Sequence, residues 1–213
     1  MAFTPIPIGS LAWGAPVNSA LAGQDTRITA LEAGAAGDTA NAPGPADQGW
    51  ITWNYDPVHA QSGVAVTSGT VYMMKIHLRE AATVSSVSAV VSTGGTGLTA
   101  GQCFAGLYDS TGTQLAVTAD QSGNWANVAH HMMTLTAPVN AAAGAYYIAL
   151  LANGTTGPAF IRSGSPYTIA MNANTTLTTA RWTTGPTAQT SLPASITLGS
   201  RAFTSNSYWG AVA

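Results

Sequence analysis

Two hydrophobic rhythms divide the chain. Over residues 17–33, VNSALAGQDTRITALEA, the side chains of Val17, Leu21, Gln24, Ile28 and Leu31 are spaced 4, 3, 4, 3, which is the a/d seam of a heptad helix. Leu21 and Ile28 take a; Val17, Gln24 and Leu31 take d. Pro16 stands where a first-turn proline is tolerated, and Gly34 can end the helix. About 17 residues give a rod of about 25 Å, near the length below which an isolated helix is marginal in water, so the seam predicts partners. Arg27 at g and Glu32 at e of the next heptad have the spacing by which parallel, in-register helices form ion pairs. Gln24, a polar layer in the seam, would fix register and strand number, because misaligned chains leave its amide unpaired. Three parallel strands are the expectation. The competing reading is an amphipathic helix lying on the chain's own β domain.

Residues 34–49, GAAGDTANAPGPADQG, have no apolar period and read as a linker. From Trp50 the rhythm becomes two. In Val71–Leu78 the residues Tyr72, Met74, Ile76 and Leu78 fall on one face and Lys75, His77 and Arg79 on the other, as in a half-buried antiparallel strand. Further strands are predicted at 83–92, 103–108, 114–118, 131–136, 146–152, 159–162, 167–171 and 207–212. Turn sequences separate them: TGGTG (93–97), DSTG (109–112), DQSGN (120–124) and NGTTGP (153–158). The pattern predicts a mainly β chain: an N-terminal segment 1–16, a short parallel coiled-coil helix 17–33, the linker 34–49, and an antiparallel β-sandwich of jelly-roll type over 50–213.

Charge narrows the function. The 213 residues include six Lys or Arg and eight Asp or Glu, a charged fraction of 7% and a net charge of −2. The six basic residues are scattered, so nothing suggests a phosphate-tracking surface, and nucleic acid is not an expected partner. A surface rich in hydroxyls and amides, with 29 Thr, suits an all-β protein working outside cells. The start MAFTPIPIGS has no basic region followed by an apolar run, so no signal peptide is expected. The longest apolar run, Ala145–Ala152, is too short for a membrane span, and membrane insertion is not expected. Cys103 is the single cysteine and reads as a buried, inert thiol.

Few residues could do chemistry. Asp109 and Asp120 lie in turns, Asp25 and Glu32 on the helix, Asp38 and Asp47 in the linker, leaving Asp56 and Glu80 as the acids free for proton transfer, and no spacing pairs them. His130 and His131 are adjacent on a strand and point to opposite faces, so they do not chelate one metal; His59 and His77 lack companions at ligand spacing. No phosphate-binding loop, dinucleotide-binding glycine pattern, nucleophile elbow or EF-hand loop occurs. No catalytic residue, metal or cofactor is therefore expected. Exposed aromatics at loop tips could stack on sugars, and the two candidates are Trp125, in DQSGNW, and Trp182, in a Thr-rich stretch.

The stretch from Trp13 to Glu32, WGAPVNSALAGQDTRITALE, resembles the opening of fibre-like virion proteins of tailed bacteriophages, especially those infecting actinobacteria. In that family a W-G-x-P-V-N segment runs into a brief coiled coil ending in an A-L-E-like sequence. TAGQCFAGLYDSTG (99–112) and AGAYYIA (143–149) resemble the β domain that follows. The resemblance implies a non-enzymatic homotrimer on tail or capsid, assembled into the virion in the host cytoplasm. Its N-terminal residues would dock to another virion protein and its β heads would project, with host-surface glycan as an expected partner. The docking side chains would be Phe3, Ile6, Ile8, Leu11 and Trp13, apolar residues on a segment too Pro-rich to bury them alone. The trimerisation set would be Val17, Leu21, Gln24, Arg27, Ile28, Leu31 and Glu32. Two other readings remain: a free carbohydrate-binding module, and a polysaccharide depolymerase using Asp56 or Glu80.

Overall fold

Alternating apolar residues from Trp50 onward build two antiparallel sheets packed face to face. A computed structural model describes Gln24 and residues 43–164 and 172–213. The chain divides into two units, Met1–Gly44 and Pro45–Ala213. Of the predicted helix 17–33, Gln24 is described, helical and exposed; the coiled coil as a whole lies outside the described residues.

The strands of the second unit are β1 (Thr52–Trp53), β2 (Ala60–Ala65), β3 (Tyr72–Leu78), β4 (Ala82–Thr93), β5 (Phe104–Tyr108), β6 (Gln114–Val117), β7 (Ala129–Ala141), β8 (Gly144–Leu151), β9 (Ala159–Ser163), β10 (Trp182–Thr184), β11 (Ala202–Phe203) and β12 (Ala211–Val212). One sheet runs β1-β12-β4-β9-β2, with β7 on the other edge of β4; the second runs β11-β10-β3-β8-β5-β6. The pairings are nested: β5 with β6, β4 with β7, β3 with β8, β2 with β9. Eight successive strands thus form one long antiparallel ribbon, folded so that each nested pair falls in the sheet opposite the last. A bridge between Thr118 and Leu135 joins the sheets along one side.

Side-chain alternation explains which face of each strand is inside. Met74, Ile76 and Leu78 of β3, Leu107 of β5, and Ile148 and Leu150 of β8 meet Val87, Ala89 and Val91 of β4, Met133 and Leu135 of β7, and Phe160 of β9. Burying an aliphatic side chain of this size stabilises by about 1.5–3 kcal/mol, so this layer holds the sandwich together. The outer face of the β3–β8 sheet is also buried. Met73, Tyr108, Tyr147, Ala149 and Leu151 lie under Leu192, Ile196 and Leu198, supplied by the chain's own later segment. With both faces covered, β8 needs no polar alternation, which is why Ala145–Ala152 reads as an unbroken apolar run.

The C-terminal segment is a wedge. Tyr208 bridges Arg162 and the Trp209 N–H donates to the Ile161 carbonyl on the β9 side. Ala211 and Val212 then pair with Ser88 and Val87 of β4. The Ala213 carbonyl accepts from the N–H groups of Ser85 and Ser86.

Some local expectations change. The predicted strand 131–136 extends to Ala129–Ala141, and 83–92 to Ala82–Thr93. Of 207–212, Ala211–Val212 is regular strand. DQSGN leads into a one-turn helix, Ser122–Trp125, because the Trp125 N–H finds the Gln121 carbonyl. β1, β2, β10 and β11 are additional to the expected strands. The predicted strand 167–171 lies outside the described residues.

Candidate functional site

The predicted trimerisation residues Val17, Leu21, Arg27, Ile28, Leu31 and Glu32, and the docking residues Phe3, Ile6, Ile8, Leu11 and Trp13, lie outside the described residues. What the structure places are the head's aromatics, acids and histidines.

Trp125 and Trp182 are not surface platforms. Trp125 is 0% exposed, held by its helical turn between the sheets with its ring edge-on to Phe160 at 5.1 Å. Its indole N–H has no hydrogen-bond partner. Trp182 is 4% exposed because β10 places it against β3; its Nε1 donates to the Tyr208 carbonyl at 3.2 Å and Arg181 lies over its ring at 4.3 Å. In this structure both rings are core side chains with no free face for a sugar. The polar letters around them misled, because a single turn of helix and a short strand each turn one large residue inward.

The described acids are engaged in turns. Asp56 caps the 3-10 turn Pro57–His59, its Oδ1 accepting from the Val58 N–H. Asp109 accepts from the N–H groups of Thr111 and Thr113 and from the Thr111 hydroxyl. Burial would raise its carboxyl, but the bonds from Thr111, Thr113 and Gly112 outweigh that and hold it below the ordinary carboxylate value. Asp120 follows the same logic: burial opposes, and bonds from Ser122, Gly101 and Cys103 lower it. Glu80 sits exposed in the bend between β3 and β4. Among the described residues, no group of three His, Cys, Asp or Glu side chains converges as a metal cluster. Cys103 is buried, and desolvation pushes its thiol up, which makes it a poor nucleophile. Tyr108, buried with its hydroxyl on the Pro193 carbonyl, is pushed up to about 12.

Among the described residues, two surface features bear on binding. A groove of about 550 Å³ runs between the Asp109–Gly112 turn and residues 195–199, lined by Ser110, Thr111, Thr178, Ser195 and Thr197 over Ile196 and Leu198. It presents hydroxyls without an aromatic ring. The second feature is the outer face of the β4–β7 sheet, where Trp50, Trp209 and Ala211 form a small core with Trp53, Tyr55, Val90 and Ile161 packed against it. The His130 ring stands edge-on to Trp50 at 5.3 Å and to Trp209 at 6.4 Å, and its Nε2 lies 3.3 Å from the Ser88 hydroxyl. Desolvation, and then the neighbouring His131, hold the His130 imidazole below its ordinary value. His131 turns the other way and meets the Asn127 carbonyl. The alternation Val128, His130, Met132 was the sequence signal for this face, and only the pairing to β4 shows that it points outward. No protein-family model matches the chain, and no curated protein matches it either.

Proposed function

We propose that the chain is a non-catalytic structural component of a phage virion, a parallel homotrimeric fibre on tail or capsid with projecting jelly-roll heads that attach to host-surface glycan. The observation that carries this reading is a pairing: an a/d seam over 17–33 precedes a β head whose turn acids Asp56, Asp109 and Asp120 are committed to backbone hydrogen bonds. A carboxylate fixed by two or three donors in a turn, as Asp109 and Asp120 are, is a poor proton carrier, and acid/base hydrolysis of a polysaccharide normally uses two convergent acids. The nested strand pairing supports a jelly roll, an architecture found in lectin and capsid domains. Three heads on one stem also turn weak glycan contacts into firm attachment, since the second and third bind at the effective concentration set by the first.

Labelled antibody against the head, imaged on intact particles, tests the placement. Decoration of tail or capsid is expected; particles bare of label while the host lysate holds the chain free would contradict it. Release of reducing ends from host envelope polysaccharide, lost on Glu80→Ala, would favour a depolymerase instead.

A further inference from the structure

The two outer faces of the sandwich are treated differently by the chain. Leu192, Ile196 and Leu198 cover the β3–β8 sheet. On the opposite sheet the covering stops at Trp50 and Trp209, and the neighbouring strip on β7 is left open: Val128 is 68% exposed, Met132 58%, and His130 between them is exposed as well. The register fixes their direction. Met132 pairs with Ser88 and His130 with Val90, while the alternate residues Met133 and Val87 lie in the core. The strip's outward neighbours on the two strands are Ser86, Ser88, Val90 and Thr134, none of which has a charged side chain.

From this we infer that the Val128–His130–Met132 strip beside Trp50 seats the head of a second copy of the chain. The inference rests on the oligomeric fibre reading and gives it a head-to-head contact. The 44 residues ahead of the head contain the seam read as self-associating, and the head begins at Pro45, five residues before the Trp50 ring that stands against His130. An uncharged strip of a few residues has no electrostatic steering and little area with which to hold a freely diffusing partner. A copy held by the same stem is different, because a short tether presents it at an effective concentration in the millimolar range, where a weak apolar contact suffices. Neutrality also matters when like surfaces meet around a rotation axis, since any charge there would face its own copy.

The test uses the full chain. Met132 is oxidised by dilute peroxide and followed by peptide mass spectrometry, in the intact protein and in a Leu21→Asp, Ile28→Asp variant whose seam is broken, with light scattering on both. An oligomer whose Met132 reacts about fivefold or more slowly than in the seam variant supports the contact, since sulfoxide formation follows exposure. An oligomer whose Met132 reacts at the same rate in both overturns the contact and leaves the fibre reading standing. A monomeric intact chain overturns both. As a second measurement independent of the seam variant, Met132→Glu in the intact chain, a change at an exposed site, should raise the concentration at which the oligomer dissociates about tenfold. Unchanged dissociation counts against the contact.

Discussion

One guanidinium ties together several segments of the head. Arg201 is 3% exposed; its Nε donates to the Leu198 carbonyl at 3.1 Å, another nitrogen to the Leu177 carbonyl, and the group lies 4.6 Å over the Tyr147 ring. Desolvation lowers its pKa, yet a planar fork serves two carbonyls and an aromatic face at once, which an ammonium does not. Arg201→Lys is therefore expected to cost about 1.5–3 kcal/mol, the worth of hydrogen bonds to a charged group, read as a lower midpoint in urea unfolding. Titration gives a second expectation. His130 has a depressed pKa in the fold, so the unfolded chain binds the proton more readily and stability falls as pH drops below about 6.5, the loss ending at the folded value. Asp109 and Asp120 are also depressed, but as acids: their contribution is full above about 3.8 and disappears as pH falls through their folded values. Urea midpoints against pH should show two descending steps, and His130→Gln should remove the upper one alone. Of these residues, the turn role of Asp109 and the opposed directions of His130 and His131 were legible from spacing. Burial of Trp125 and Trp182 was not, because it depends on which strand the chain brings opposite them.

Elements with a strict period of two were read well from sequence, and the irregular ones were not. β3, β5, β6, β8 and β9 lie where alternation or an apolar run predicts a strand. β1, β10 and β11 are two or three residues long and exist because a neighbour supplies their hydrogen bonds, so no local pattern announces them, while β12 is the short regular part of the predicted 207–212. β2, AQSGVA, pairs with β9 alone, has no fully buried residue and carries Gln61, Ser62 and Gly63 in a row, so its sequence reads as loop. The DSTG turn shows how closely the covering segment is laid on the sandwich. Gly112 has φ +92°, and a Cβ there would lie 2.1 Å from the Ile196 carbonyl oxygen, which sits in the segment that closes over the β3–β8 sheet. Gly112→Ala must strain the turn and push that segment away at once. A loss of about 2 kcal/mol or more is expected, with faster hydrogen exchange at the Ile196 amide, which donates to the Gly112 carbonyl. A melting temperature equal to the parent's would show that the segment does not rest on the turn.

At the scale of the whole molecule, a sandwich of antiparallel sheets follows in the chain a segment whose sequence has a heptad seam. Most of the head explains itself: its sheets, the covered outer face of the β3–β8 sheet and its wedge-like C-terminal segment bury their own apolar residues, and the β7 strip of Val128 and Met132 is the part left open. The proposed seam would not explain itself, since about 17 residues of a/d helix are marginal alone and would gain stability by packing on copies of themselves. In the proposed stem, Arg27 and Glu32 would select a parallel arrangement and Gln24 a single register, which identical chains in the same orientation would satisfy together. The most direct test is the mass of the intact chain in solution by size-exclusion chromatography with light scattering, at neutral pH and micromolar concentration. The account predicts about three times the 21.5 kDa chain mass, falling to one chain when Leu21 and Ile28 are both replaced by Asp. A single-chain mass for the intact protein, or a trimer that survives those replacements unchanged, would contradict it.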